Sequence, residues 1–520
     1  MSDFIVTTHT TGSQGLGLGD TIYIPPFARM ISRSIPILRN SNSVHNMSAF
    51  VDGTVVSTTG DAILLDGTAL DGTGNNHVSI GQTSIVRSLK AMGIQIDGDD
   101  SSVINDGAIY AKTRGIYNLD GDSFSLINSG LISADIGVVP TGLDTDVQIL
   151  GTIESLYHAV WISISGGTLT NSGQLTGREA VYLQGSDGEV FNSGQIVASL
   201  TGIRYGGSSA RIVNSGAIMS GGEGVLLDPF AVLPGSFYRL LNAGSITAKD
   251  AAIAITGSAA NLQNYGTIAS AGGYAVVSDR ALTMVNDGII AGGTAANGTS
   301  IAISVIGTCD EFIRNFGTIT GSVLTGAGND VIRNNGDIQR EVNLGNGADL
   351  YIGGREAGDV TLQGGDQRDV ILSGGGDDNI SGGNGDDVLR GGLGDDTIYG
   401  GSGADGLTGG GGADLFVFGN AAELFAGANL DSISDFKSGL AQIELGAFMP
   451  GGSFIGVAAF FAANQVRYES TTGIVQGDLN GDLVADRSLV LTSKPGLTAT
   501  DFIFRHSGVS LLLHARALKP

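Results

Sequence analysis

The sequence predicts an all-β chain: a parallel β-solenoid (β-helix), then a glycine-rich β-roll, then a C-terminal β cap. Three observations carry that expectation. A motif built on Asn-x-Gly-x-Ile returns about every 22 residues through the middle of the chain, five nine-residue units run unbroken from Ser373 to Val417, and the composition is that of a β protein. Of 520 residues, 85 are glycine and 9 proline; 42% are apolar and 6% aromatic. Short runs of β-branched residues between glycines and small polar residues suit strands joined by tight turns. The apolar share argues against disorder, because a disordered acidic chain is poor in Ile, Val and Leu.

Residues 1–50 include Pro25 and Pro26 and little periodicity, and are expected to cap the open end of the solenoid. Residues 51–340 are expected to form a right-handed parallel β-helix with coils of about 22 residues. The fainter VDGTVV from Val51 and GDAILL from Gly60 read as its early coils. The motif then appears as NDGAI from Asn105, NSGLI from Asn128, NSGQL from Asn171, NSGQI from Asn192 and NSGAI from Asn214. It continues as NAGSI from Asn242, NYGTI from Asn264, NDGII from Asn286, NFGTI from Asn315 and NNGDI from Asn334, with Ile149 filling one asparagine position. Steps of 28 and 29 residues imply loop insertions near Pro229–Ser236 and Gly292–Ser300. A second apolar strand recurs midway, as in AVWIS from Ala159 and AVYLQ from Ala180. Stacked asparagines would satisfy buried turn amides and carbonyls, a structural role.

The five units are SGGGDDNIS, GGNGDDVLR, GGLGDDTIY, GGSGADGLT and GGGGADLFV. Each reads as a six-residue turn followed by a short strand whose eighth residue (Ile380, Leu389, Ile398, Leu407, Phe416) points inward. Two units per coil would align Asp378, Asp396 and Asp414 along one edge and Asp387 and Asp405 along the other. Carboxylates and glycine carbonyls are hard oxygen ligands of the kind Ca²⁺ prefers. The candidate turn glycines are Gly374 and Gly376; Gly382, Gly383 and Gly385; Gly391, Gly392 and Gly394; Gly400, Gly401 and Gly403; and Gly409, Gly410 and Gly412. A flexible glycine linker does not explain aspartate and an apolar residue held in phase over five units.

These units resemble those of the RTX (repeats-in-toxin) hemolysin-type calcium-binding proteins, whose nonapeptides form a calcium-loaded β-roll. Degenerate copies extend the resemblance upstream and supply Asp330, Asp349 and Asp369: TGAGNDVIR from Thr325, LGNGADLYI from Leu344 and GGDQRDVIL from Gly364. The roll is therefore expected over 325–417, with its best repeats at 373–417. Gln367 takes a turn-glycine position in the last copy, and residues 353–363 break the register.

Residues 418–520 carry DLFVFG from Asp414, DSISDFKSGLAQIEL from Asp431, GDLNGDLVADRSLVL from Gly477 and TATDFIF from Thr498. With the roll, over about 325–504, they resemble the C-terminal domain of the serralysin metalloproteases, which holds their secretion signal. The chain runs on past Phe504, so the apolar end that closes that domain is not terminal here. Asp478, Asn480, Asp482 and Asp486 resemble the start of an EF-hand, but Leu483 holds the required glycine position, so a hairpin turn is expected. The resemblance implies a secreted, extracellular protein, exported by the type I machinery through an uncleaved C-terminal signal. No Sec-type leader and no membrane-spanning run is visible.

A formal charge of -25 disfavours nucleic acid, whose phosphates are held by Lys and Arg clusters. The single Cys309 offers no intrachain disulfide, which leaves bound calcium as the available staple. His-Glu-x-x-His is missing, so the protease domain is absent and no catalytic residue is assigned. A solenoid joined to RTX repeats also resembles mannuronan epimerases and polysaccharide lyases. Asp120, Asp122, Asp144, Asp146, Tyr157, His158 and Trp161 are the candidates for such chemistry, although Asp228-Pro229 is followed by Phe230 instead of the histidine of that family's Asp-Pro-His pattern. The expected function is calcium binding by a β-roll that folds on meeting extracellular Ca²⁺. The β-helix would serve a structural, adhesive or surface-binding role, with a cell surface or extracellular polysaccharide as partner. The alternative is a polysaccharide-modifying enzyme.

Overall fold

The structure is a computed structural model describing residues 3–5, 10–11, 14–15, 20–32, 38–39, 46–65, 75–119, 122–163, 165–229, 236–294, 298–419, 430–446 and 449–504. It is an all-β parallel solenoid. Among the described residues there is no α-helix, and so none long and apolar enough to cross a membrane. The chain divides into two compact units, Met1–Val305 and Ile306–Pro520.

In the first unit each coil carries up to three short strands, paired in parallel with their counterparts one coil on. Ser125–Asn128, Leu131–Ala134 and Ile136–Pro140 pair with Asp146–Ile149, Thr152–Ser155 and Val160–Ile162. Strand alternation sends every second side chain inward. Three apolar columns result. They run through Leu126, Val147, Leu169 and Val190; through Ile132, Ile153, Leu175 and Ile196; and through Val138, Val160, Val181 and Ile203, all at 0% exposure. Each such side chain contributes roughly 1.5–3 kcal/mol on burial, and the columns carry that gain from coil to coil.

The motif asparagine closes the first strand of its coil and is buried. Its Nδ2 donates to Oδ1 of the asparagine one coil on: Asn171 to Asn192 (2.7 Å), Asn192 to Asn214 (2.7 Å), Asn214 to Asn242 (2.8 Å), Asn242 to Asn264 (2.8 Å) and Asn264 to Asn286 (2.7 Å). The longer step to Asn242 leaves the Asn214–Asn242 register intact. Most of the two expected insertions, 230–235 and 295–297, lies outside the described residues. Ile149 interrupts the ladder between Asn128 and Asn171, and Oδ1 of Asn171 is left buried without a partner. The motif glycine answers to space: a Cβ on Gly173 would sit 1.9 Å from the Gly151 carbonyl oxygen.

In the second unit the coil shortens. Phe312–Asn315 pairs with Val331–Asn334, and that strand with Leu350–Gly353. From Thr361 onward a coil is two nonapeptides. Thr361–Asp366 pairs with Asn379–Asn384 and then Thr397–Ser402, while Val370–Gly375 pairs with Val388–Leu393 and then Gly406–Gly411. Ile380, Ile398 and Phe416 stack in one sheet and Leu389 and Leu407 in the other, none more than 1% exposed. The parallel stack continues past the last nonapeptide: Leu415–Val417 pairs with Gln442–Glu444, which pairs with Phe502–Ile503. An antiparallel meander of Gln465–Glu469, Ile474–Asp478 and Arg487–Leu491 is attached to it. The loop after Asp478 is a hairpin turn. Its carboxylates accept loop amides, Gly481 (2.7 Å) and Leu483 (3.0 Å) on Asp478 and Leu479 (2.7 Å) on Asp486, and Leu483 holds the glycine position at φ 71°.

Candidate metal centre

The sixth residue of each nonapeptide ends its turn and aims inward, so its carboxyl is covered. Asp369, Asp378, Asp387, Asp396 and Asp405 are all at most 2% exposed, and Asp414 is 5% exposed. Stacking them one coil apart makes two carboxylate ladders on opposite edges. On one edge Oδ1 accepts the main-chain amide one coil earlier: Asp330 from Glu311 (2.9 Å), Asp349 from Asp330 (2.7 Å), Asp369 from Asp349 (2.9 Å), Asp387 from Asp369 (2.8 Å), Asp405 from Asp387 (2.9 Å) and Asp431 from Asp405 (2.8 Å). On the other edge Asp378 accepts from Val360 (3.0 Å), Asp396 from Asp378 (2.9 Å) and Asp414 from Asp396 (3.2 Å).

One oxygen of each carboxylate is thereby spent. Oδ2 of Asp330, Asp349, Asp369, Asp387 and Asp396 is buried with no hydrogen-bond partner. Glycine carbonyls converge on the same points. A Cβ on Gly364 would lie 2.3 Å from Oδ2 of Asp369 and 2.5 Å from the Gly382 carbonyl oxygen; on Gly382, 2.3 Å from Oδ2 of Asp387 and 2.5 Å from the Gly400 oxygen; on Gly391, 2.0 Å from Oδ2 of Asp396 and 2.7 Å from the Gly409 oxygen. A carboxylate oxygen and a carbonyl oxygen thus face one small cradle that any side chain would fill. Gly400 and Gly409 likewise lie against Oδ2 of Asp405 and Asp414.

Burial raises the carboxyl pKa of six of these aspartates. It pushes Asp369 and Asp396 up to about 7, with neighbouring ladder carboxylates adding to the effect, and Asp349, Asp378 and Asp387 up to about 6; Asp414 is raised as well. Such groups are costly to ionise unless a cation compensates. Among the described residues no three acidic, histidine or cysteine side chains converge. A cation would therefore be held by one or two carboxylates with main-chain carbonyls, an all-oxygen set that fits Ca²⁺.

The second-position glycines Gly374, Gly383, Gly392, Gly401 and Gly410 and the fourth-position Gly376, Gly385, Gly394, Gly403 and Gly412 all have φ between 104° and 150°, which curls the turn. Gln367 adopts the same path at φ 77°, which is why its degenerate copy keeps Asp369 in the ladder. Two cradles differ. Ser373 donates its hydroxyl to the Gly391 carbonyl (2.6 Å) beside Asp378, and Thr325 donates to the Leu344 carbonyl (2.8 Å). Sequence reasoning missed Glu311 and Asp431, which extend one ladder at its ends. The 19-residue spacing counted back from Asp330 was the available signal for Glu311, whereas Asp431 lies 26 residues past Asp405, outside the 18-residue step of the nonapeptide coils. It also missed fifth-position carboxylates that bridge coils on the surface: Asp359 accepts from the Asp377 amide, and Asp377 from the Asp395 amide, both at 2.8 Å.

Of the candidates for carbohydrate chemistry, Asp120 lies outside the described residues. Asp122 caps the Leu143 amide in a turn (3.0 Å), and Asp146 accepts from Gln148 within one strand (3.0 Å). His158, Trp161 and Tyr182 bring their rings within 5.5–6.0 Å of one another. His158 lies 3.7 Å from Glu179, and Arg204 links Glu179 (3.5 Å) to Asp228 (2.8 Å). Burial lowers the His158 pKa, outweighing the pull of Glu179. Tyr157 stands outside this stack, 45% exposed.

Residues 345–380 and 381–416 match the RTX calcium-binding nonapeptide repeat family. The chain thus contains RTX calcium-binding nonapeptide repeats set in a β-solenoid. No curated protein matches it. Among solved structures it matches the AlgE6R3 subunit of the Azotobacter vinelandii mannuronan C5-epimerase at 24% identity, over 30% of this chain and 89% of that one, with a TM-score of 0.23. That likeness is too slight to bear on function.

Proposed function

We propose that this is a secreted calcium-binding protein whose roll folds on meeting extracellular Ca²⁺. The observation that carries the reading is the convergence of a buried, unpartnered Oδ2 with a glycine carbonyl at Asp369, Asp387 and Asp396. Asp378, Asp405 and Asp414 complete the set in the nonapeptides, with Asp330 and Asp349 upstream and the turn glycines supplying carbonyls. Inside a cell, where calcium is scarce, ionised buried carboxylates would hold the roll open. Outside, calcium at about 10⁻⁴–10⁻³ M would neutralise them and close it. Residues 418–520 would act as a serralysin-like domain bearing the type I export signal, and the β-helix as a structural or adhesive rod toward a cell surface or polysaccharide. The test is a calcium titration of the full chain followed by far-UV circular dichroism. β structure gained in the millimolar range is expected; a spectrum indifferent to calcium, with none bound, would overturn the proposal.

A second reading, modification of a polysaccharide, is supported by the His158–Glu179–Arg204–Asp228 cluster beside the Trp161 and Tyr182 rings. Proton NMR of acidic polysaccharides incubated with the calcium-loaded protein decides it. New anomeric or unsaturated signals that vanish in His158→Ala would establish it, and unchanged spectra would leave the rod without an enzymatic role.

A further inference from the structure

The carboxylate ladder does not begin at the nonapeptides. It begins at Glu311, in a turn, Ile306–Glu311, that lies outside the family match and has Cys309 where a nonapeptide has its fourth glycine. Glu311 is 2% exposed, and no donor reaches either carboxyl oxygen; the group it meets is the Asp330 carboxyl, to which it can hydrogen-bond only by keeping a proton. Its carboxyl lies against that of Asp330, which is 0% exposed and whose Oδ2 is also unpartnered. The next turn closes tightly over this one: a Cβ on Gly328 would lie 2.0 Å from the Cys309 carbonyl oxygen. Two buried acidic groups cannot stand side by side as naked anions, and a buried polar atom without a partner marks a missing proton, water or ion.

We propose that Glu311 and Asp330 hold a Ca²⁺ ion of their own. The two carboxyls bring hard oxygens together there, and the Asp330 Oδ1 is already fixed by the Glu311 amide (2.9 Å). The longer glutamate arm can bind through both oxygens, as the bidentate glutamate of other calcium loops does. This site rests on the reading of the ladder as calcium-binding, and it moves the start of calcium dependence from the nonapeptides to the first coil of the second unit. The rival occupant is a proton shared between the two carboxyls.

Calcium-binding calorimetry of the full chain with E311Q and E311D separates the two. The expected result is one equivalent fewer in E311Q than in wild type, with the nonapeptide equivalents retained and the lost ion restored in E311D. An E311Q chain that binds as many ions as wild type, and melts higher without calcium, would establish the shared proton and overturn this site alone. A wild-type chain that binds no calcium would overturn both readings. Should E311Q not fold, anomalous scattering from wild-type crystals grown in calcium decides the matter: a peak between Glu311 and Asp330 supports the site, and peaks confined to the nonapeptides refute it.

Discussion

Asp396→Asn keeps the shape of the ladder and removes one charge. The amide oxygen of asparagine can still accept the Asp378 main-chain N–H that Oδ1 accepts at 2.9 Å, while the unpartnered Oδ2 becomes a neutral NH2. Two opposite effects follow. Without calcium, wild type must ionise a carboxyl that burial raises from 3.8 to about 7, which corresponds to about 4 kcal/mol in favour of the neutral form. Asparagine avoids that cost, so at pH 8 the calcium-free variant should gain up to about 4 kcal/mol. With calcium the variant has lost an ionic ligand, and its calcium midpoint should rise by about tenfold or more, roughly 1.4 kcal/mol per decade. The assay is urea denaturation of the full chain at pH 8, in chelator and in 10 mM calcium, a concentration about tenfold above the weakest extracellular sites. Wild type and variant should exchange order between the two conditions. A variant less stable than wild type in both, with an unchanged calcium midpoint, would refute the assignment of Asp396 as a ligand.

The other predictions concern pH, the asparagine ladder and a strained turn. Because the ladder carboxyls sit at about 6 to 7 when folded and at 3.8 ordinarily, the calcium-free roll should be most stable below about pH 4 and lose stability as pH climbs through 7. Calcium-binding isotherms should shift the other way, weakening as protons reclaim the same carboxyls below pH 7. Ile149→Asn would restore the missing rung, giving Asn171 Oδ1 a donor. Two hydrogen bonds of about 1 kcal/mol each should nearly offset the lost Ile149 packing, whereas Asn192→Leu should cost about 2–4 kcal/mol, both read as urea midpoints. Gln367→Gly should stabilise the protein by about 1 kcal/mol, because its φ of 77° is one that glycine adopts freely; an unchanged melting temperature would show the turn to be unstrained.

Most of the scaffold was legible because each coil repeats its own markers. Asparagine and glycine recur in phase, and the pairing of Asn192 with Asn214 and Asn242 could be read from spacing, the insertion included. The nonapeptide aspartates were equally visible, since glycines at fixed offsets announce each one. Glu311 was not, because its turn keeps only Gly307 of the repeat's glycines and has a glutamate in place of the aspartate, and its role comes only from the 19-residue register to Asp330. The Glu179–Arg204–Asp228 network was hidden for another reason: its members come from separate coils, and the register of Gln174–Leu183 against Gln195–Tyr205 shifts between Gly177 and Glu179, which no repeat spacing announces. Periodicity reveals what every coil shares and conceals what a few coils build between them.

The carboxylate ladder has a direction. In the buried ladder each amide is satisfied by a carboxylate that comes later in the sequence, Asp369 by Asp387, Asp387 by Asp405 and Asp405 by Asp431, while the surface carboxylates Asp359 and Asp377 accept from amides that follow them. A C-terminal coil that has already formed therefore offers its buried carboxylates, ready placed, to the amides of the coil before it. A chain that left a narrow conduit C-terminus first, as the proposed export route requires, would present every buried carboxylate before the amide it must accept. The roll would then set behind the exit in the order in which it emerges, and a chain delivered in the opposite sense would have to wait, coil after coil, for the carboxylates its amides need.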